Sequence, residues 1–324
     1  METLKENKIK KVFKYLSDEC FVAYLLVAIF IIAIIVSDDF LSATNITNLL
    51  RQCSLYGIIA IGTCTLLLSG NIDLSLGSQV GFAGVILAKM VVEAGINTYV
   101  AVVLTLIAAV LVGGLNGLMV IRFRIPAMVI TVAMQQAIRG VTYLLTDAYP
   151  ISGLPENMAF FGRGYIGIIP FPVIVMFVLY IAAYILTMHT RTGRYFYTIG
   201  GNREAAYLAG INVKRNELLM FLMAGFLAGV VGVILTSRMM SGQPQGGLNF
   251  EFDALTAALI AGVKLDGGRG KVANVLLGAV FVGILNNIFN LVGMSLYWQQ
   301  VTRAMALLFS VLFDKIKTGE KSKI

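Results

Sequence analysis

Apolar runs separated by short polar breaks dominate the chain from residue 20 onward. Ten such runs are read at 20–36, 50–69, 77–94, 98–121, 126–146, 165–188, 217–237, 251–263, 272–292 and 297–313. Most approach the roughly 20 residues that a helix needs to cross a hydrocarbon core. Runs such as Phe21–Val36 do not alternate between apolar and polar residues, which excludes the strands of a membrane barrel. The pattern predicts an all-α polytopic membrane protein with about ten transmembrane helices. The first run ends in Ser37-Asp38-Asp39-Phe40 with no small-x-small site and is followed by further runs, so it reads as a retained span rather than a cleaved signal.

Charge orients these spans. Most of the 25 Lys and Arg residues gather at 5–14, 122–124, 191–215, 264–271 and 315–323. An even count of ten places all of these clusters on the cytoplasmic side, and both termini with them. The outer turns then carry Asp38, Asp39, Asp147, Glu156 and Glu251, with Tyr297 and Trp298 in an outer aromatic belt. The expected organisation is a basic cytoplasmic segment over 1–19, one transmembrane domain over 20–313 and a basic cytoplasmic tail over 314–324. Composition agrees: 58% of residues are hydrophobic and 13% charged, against about 25% charged in soluble domains. The net charge of +8 is therefore topological, and nucleic acid is not an expected partner. Cys20, Cys53 and Cys64 lie in or beside apolar runs and read as inert thiols, and the single histidine, His189, has no companions for a metal site.

Close-packing signatures recur at Gly77-xxx-Gly81, Gly113-xxx-Gly117 and Gly225-xxx-Gly229. Small residues let helix backbones approach within lipid, here either inside one chain or across a dimer seam. Two passages interrupt the apolar pattern with an aspartate among glycines: Gly70-Asn71-Ile72-Asp73-Leu74-Ser75-Leu76-Gly77 and Lys264-Leu265-Asp266-Gly267-Gly268-Arg269-Gly270-Lys271. Such breaks point to a transport pathway, because non-helical backbone at membrane depth must be buried in protein or line a cavity. The second break is basic and is expected at the cytoplasmic surface. The first carries no basic residue and is expected deeper, with Asp73 either capping the half-helix that follows or touching a solute. Candidate pathway or gate residues are Asn71, Asp73, Ser75, Asn116, Gln135, Gln136, Asn286 and Asn287. Neutral amides there suit interhelical hydrogen bonds or a hydroxyl-rich solute.

Catalytic signatures are missing. Gly162-Arg163-Gly164-Tyr165-Ile166-Gly167 has no strand–turn–helix context for a dinucleotide, and Gly268-Arg269-Gly270-Lys271 lacks the first glycine and the Ser/Thr of a P-loop. The chain is not expected to be an enzyme or to bind a cofactor or metal. The basic stretch around 189–216 holds Glu204-Ala205-Ala206 and then Gly210. Small alanines beside a glutamate allow a partner's backbone to approach, and Gly210 can end a short helix in a left-handed conformation.

Glu-Ala-Ala, three residues, then Gly resembles the coupling loop of ABC importer permeases. The resemblance extends along nearly the whole chain through LLLSGNIDLSLGSQVG (66–81), GGLNGLMVIRFRIPAMVIT (113–131), TGRYFYTIGGNREAAYLAGINV (192–213), FEFDALTAALIAGVKLDGGRGKV (250–272) and LNNIFNLVGMSLYWQQVTRAMALL (285–308). These passages look like the permease subunit of a bacterial ribose/galactose/xylose-type ABC sugar importer. The resemblance implies a multi-pass protein of the bacterial cytoplasmic membrane that moves a monosaccharide. It also implies a second permease, identical or paralogous, cytoplasmic ATP-binding cassette subunits that use ATP and Mg, and an extracellular sugar-binding protein. Glu204, Ala205, Ala206 and Gly210 would couple to the ATPase. Where many relatives have Gly-Gly or Thr-Leu-Gly, this chain has Gly70-Asn71 and Thr131-Val132-Ala133, so the resemblance names no particular sugar. The alternative is an ion-coupled secondary transporter, for which Asp73, Lys89, Arg139 and Arg303 are the ionisable candidates within spans.

Overall fold

A short polar cap starts each of the longest helices. Ser42 accepts the Asn45 N–H at 3.3 Å, Asn97 the Tyr99 N–H at 3.0 Å, and Asn212 the Arg215 N–H at 3.0 Å. Each supplies an oxygen to one of the amides that a helix start leaves unpaired. The structure is a computed structural model and describes residues 22–318. The expected basic segment 1–19, Cys20 and the tail lysines Lys321 and Lys323 lie outside the described residues.

Thirteen α-helices occur among the described residues: α1 Val22–Val36, α2 Ala43–Leu68, α3 Leu76–Ala88, α4 Thr98–Phe123, α5 Ala127–Leu144, α6 Ala159–Arg163, α7 Phe171–Tyr184, α8 Arg191–Gly201, α9 Arg203–Leu208, α10 Val213–Met239, α11 Phe250–Ile260, α12 Val272–Leu291 and α13 Leu296–Thr318. α3 and α7 continue through wider turns to Glu93 and His189. Two small antiparallel pairs complete the fold. β1 (Ile151–Ser152) pairs with β4 (Ser241–Gly242), and β2 (Tyr165–Ile166) with β3 (Ile169–Pro170).

Every expected span contains a helix, but not every helix is a span. Six are long and apolar enough to cross a membrane: α2, α3 with its extension, α4, α7 with its extension, α10 and α12. The run at 251–263 is corrected. Its helix, α11, has 11 residues, which at 1.5 Å per residue is about 16 Å, half a hydrocarbon core. Residues 241–249 lead into it as a turn-rich strap that ends at Asn249, in the left-handed region. Glu251 is corrected with it, being buried at the start of α11 rather than placed in an outer turn.

α2 forms the centre of the bundle, buried from Cys53 to Leu68 and packed against α7, α10, α11 and α12. α4 and α10 run antiparallel with their glycine pairs facing. A Cβ on Gly113 would lie 2.8 Å from the Gly225 Cα, and one on Gly229 2.7 Å from the Ala109 Cβ. Both motifs are thus used inside the chain, where the missing side chains bring the two backbones together. Gly77 and Gly81 do something different. They open a groove on α3 that receives the strap and the Arg139 guanidinium, since a Cβ on Gly81 would lie 2.7 Å from both the Gly246 oxygen and Arg139 Nη1.

Candidate functional site

The break between α2 and α3 builds a buried polar node. Asp73, 2% exposed, accepts the Ser75 N–H at 2.8 Å and the Ser75 hydroxyl at 2.6 Å through Oδ1. Its Oδ2 accepts Gln79 Nε2 and Asn116 Nδ2, both at 3.3 Å. The same two amides also donate to Ser75 Oγ, at 2.9 and 2.8 Å. Thr131 on α5 fastens the approach, with its hydroxyl 3.2 Å from the Leu74 N–H and 3.3 Å from the Ile72 oxygen. Asp73 therefore organises the turn one residue before α3 rather than bonding the helix's own first amides. Four donors onto one carboxylate, beside the positive end of α3, satisfy the buried Asp73 side chain without a cation among the described contacts.

A second polar group lies next to it, where the strap meets α3 and α5. Gln135 donates to Glu251 at 2.7 Å. Arg139 donates to three backbone oxygens, Pro244 at 2.7 Å, Gly246 at 3.0 Å and Gly77 at 3.2 Å. A planar guanidinium with five N–H groups suits this task, since no other side chain can hold carbonyls of two segments in one plane.

The eight candidate pathway residues do not share one place. Asp73, Ser75 and Asn116 meet in the node, and Gln135 sits in the adjoining group. Gln136, about 100° further round α5, is exposed. Asn287 exchanges two hydrogen bonds with Asn45 at 3.0 and 2.8 Å, and Asn286 accepts Arg303 Nε at 2.8 Å. Those two asparagines tie α12 to α2 and α13, with Asp253 of α11 3.8 Å from Arg303. Asn71 donates to Ser69 Oγ at 3.0 Å and lines a cleft at the α9 end.

Sequence reading missed Gln79, Glu251 as a buried group, and the Arg139 clamp. Gln79 carried a signal, because it lies four residues after Ser75 on one helix face. The partners of Arg139 are backbone atoms at least 62 residues away along the chain, which no local pattern reveals.

The polar stretch forms α8 and α9, joined through Asn202 alone. Asn202 accepts the Ala205 N–H at 2.9 Å through its side chain. α9 ends in a Schellman turn: Gly210 (φ 80°) donates to the Tyr207 oxygen at 3.0 Å, and Ile211 to the Ala206 oxygen at 3.1 Å. Glu204 and Ala205 are exposed. Ala206 is fully buried against Ile199 and Val213. The expectation that both alanines face a partner is corrected, since the Schellman turn closes its apolar contact through Ala206, which therefore faces inward. Arg203 ties α9 to Glu217 on α10 at 2.9 Å. Between α9 and the α4–α5 turn lies an open cleft of about 1240 Å³, bordered by Arg124, Arg203, Glu204 and Lys214, with Asn71 also in its wall.

Comparison with known proteins gives a consistent result. Residues 45–311 match the family model described as branched-chain amino acid transport system / permease component. The ribose import permease protein of Bacillus subtilis (strain 168) is 39% identical over 296 residues, covering 90% of this chain and 92% of that protein. Its counterpart in Haemophilus influenzae is 38% identical over 292 residues, covering 88% and 90%. The xylose transport system permease protein of Haemophilus influenzae is 32% identical over 377 residues, covering 96% and 100%. No solved structure gives a significant match. A match over most of the chain, on a bundle of long apolar helices, places this polypeptide in that family as a membrane-embedded permease component, not itself an enzyme.

Proposed function

We propose that the chain forms half of the pore of an ATP-driven importer and carries a monosaccharide across the bacterial cytoplasmic membrane. The observation that carries this reading is 39% identity to a ribose import permease over 90% of the chain. In this reading the α8–α9 end faces the cytoplasm together with both termini, in keeping with the basic residues of 122–124, 191–215 and 264–271. α9 docks on a separate ATPase that uses ATP and Mg. A second permease completes the pore, and an extracellular binding protein delivers the sugar at the opposite end. Glu204 and Ala205 present the docking surface, whereas Ala206 and Gly210 hold the helix in shape.

ATP-dependent uptake of labelled ribose tests the reading, using vesicles that hold the chain with its cognate ATPase and binding protein. Gly210→Trp forces a bulky side chain to adopt φ near 80°, at a cost of about 1–2 kcal/mol, and opens the Schellman turn. Insertion is expected to survive while ribose-stimulated ATPase activity and uptake are lost. Wild-type coupling in Gly210→Trp would remove α9 from the mechanism. The buried carboxylates Asp73 and Glu251 favour one other reading, ion-coupled transport. Uptake by the chain without ATPase, driven by an ion gradient, would select it.

A further inference from the structure

Three segments distant in sequence close on one another beside α9: the end of α2 with its following turn, the last residues of α8, and the loop before α12. Their contact is backbone on backbone. The Gly268 N–H donates to the Leu68 oxygen at 3.0 Å. A Cβ on Gly200 would overlap that same carbonyl and lie 2.5 Å from the Gly268 nitrogen. A Cβ on Gly267 would lie 2.7 Å from the Gly70 nitrogen and 3.0 Å from the Gly200 Cα. Tyr197, one turn earlier on α8, adds a hydrogen bond from its hydroxyl to the Gly270 oxygen at 2.8 Å.

These contacts settle the fate of the two interruptions. The break at 70–77 is expected deeper than the basic break at 264–271, and the two meet at one end: Gly70 and Gly267 touch, and Gly200 sits against both segments. From Leu68 the chain reaches the Asp73 node within five residues. From Gly267, read backwards, it reaches α11, whose first turn holds Glu251. On the other side, α8 passes into α9 through Asn202, whose N–H donates to the Thr198 oxygen at 3.1 Å while its side chain caps α9.

We propose that this glycine clasp is the joint that passes movement of α9 to both interrupted segments, so that the start of α3 and α11 shift together. The proposal rests on the reading of α9 as the helix that docks on the ATPase. A joint made through flexible side chains would absorb a displacement of about an ångström by rotamer changes, whereas packed backbone transmits it.

Adjacent glycines supply the test. Neither Gly200 nor Gly201 has positive φ, and alanine is the better helix former at both. A Cβ on Gly201 meets nothing within 4 Å. In the reconstituted complex, Gly200→Ala should hydrolyse ATP at the basal rate while ribose moved per ATP falls at least tenfold, and Gly201→Ala should match wild type. Full coupling in Gly200→Ala would overturn the clasp. Should Gly200→Ala fail to assemble, Tyr197→Phe removes only a hydroxyl. A several-fold loss of ribose per ATP is then expected with assembly intact, and unchanged coupling overturns the proposal. Gly210→Trp in parallel separates the two ideas. If it uncouples while Gly200→Ala does not, the clasp alone fails; if Gly210→Trp still couples, the docking reading fails.

Discussion

Replacing Asp73 by leucine and by asparagine separates a structural anchor from a required charge. Leucine removes both acceptor oxygens. The Gln79 and Asn116 amides keep Ser75 Oγ as an acceptor, at 2.9 and 2.8 Å. The Ser75 N–H and hydroxyl, bonded only to Asp73 Oδ1 among the described contacts, are left without an acceptor. Each buried orphan costs about 1–3 kcal/mol, so Asp73→Leu should lose about 2–6 kcal/mol. Asparagine keeps one oxygen for both Ser75 bonds. Its NH₂ then faces two donors, but Gln79 Oε1 and Asn116 Oδ1 are buried without partners. Turning those amides over pairs the NH₂ but withdraws their N–H groups from Ser75 Oγ, two bonds of about 0.5–1.5 kcal/mol each, so Asp73→Asn should cost about 1–3 kcal/mol, less than Asp73→Leu. Denaturant titration of the purified complex gives the stability order, and ribose uptake per inserted molecule gives the functional one. Wild-type stability in Asp73→Leu would refute the hydrogen-bond accounting. Equal loss of uptake in both variants, with asparagine remaining stable, would show that the charge itself takes part in transport.

The strap offers a second target: Arg139→Met removes three bonds to carbonyls and should destabilise by about 3 kcal/mol or more, read as a lowered unfolding midpoint of the purified complex. Arg139→Lys, able to reach fewer of the three oxygens, should fall between wild type and methionine in the same measurement. Gly113→Leu drives a side chain into the Phe221 oxygen and the Gly225 Cα, and should lower the unfolding midpoint in detergent by the equivalent of about 1–3 kcal/mol. A cysteine at Asp39 or Glu156 should react with an impermeant reagent from outside intact cells, and one at Arg124 or Lys264 should not. Outside labelling at Lys264 would reverse the orientation of the C-terminal half.

Legibility in the sequence followed the range of the interaction that mattered. A helix end depends on neighbours three or four residues apart, so Gly210 at the end of α9 could be read directly, whereas Asn212 before α10 and Asn202 before α9 carried a signal of the same range that the sequence reading did not use. Apolar runs located a helix at each expected position because burial in lipid or protein imposes the same composition on both. That same equivalence hid α11. Its residues are as apolar as those of a full span, and only the backbone shows that Gly246, Gly247 and Asn249 bend the preceding chain into a strap. Glu251 was placed outside for the same reason, since an acid near a run boundary looks exposed until Gln135 is found 2.7 Å away.

The glycines show where local reading ends. Gly113, Gly225 and Gly77 present the same small-xxx-small pattern, yet the first two admit a helix and the third admits the turn-rich strap and the Glu251 carboxylate. A spacing of four reports that something comes close to that face, not what comes. The identity of the visitor is fixed by chain topology: α4 and α10 are antiparallel neighbours, whereas α3 begins where the strap descends between β4 and α11. One consequence can be checked. Substituting Gly81 by alanine should act through Arg139 and Gly246, because a Cβ there lies 2.7 Å from both, whereas Gly225→Ala should act through Ala109 and Gly113. Gly81→Ala combined with Arg139→Met should then be less destabilising than the sum of the two singles, by more than about 0.5 kcal/mol, the usual limit for independent sites. Gly225→Ala with Arg139→Met should add within that limit. Strict additivity in the first pair would mean that the Gly81 groove and the Arg139 clamp are not one structure.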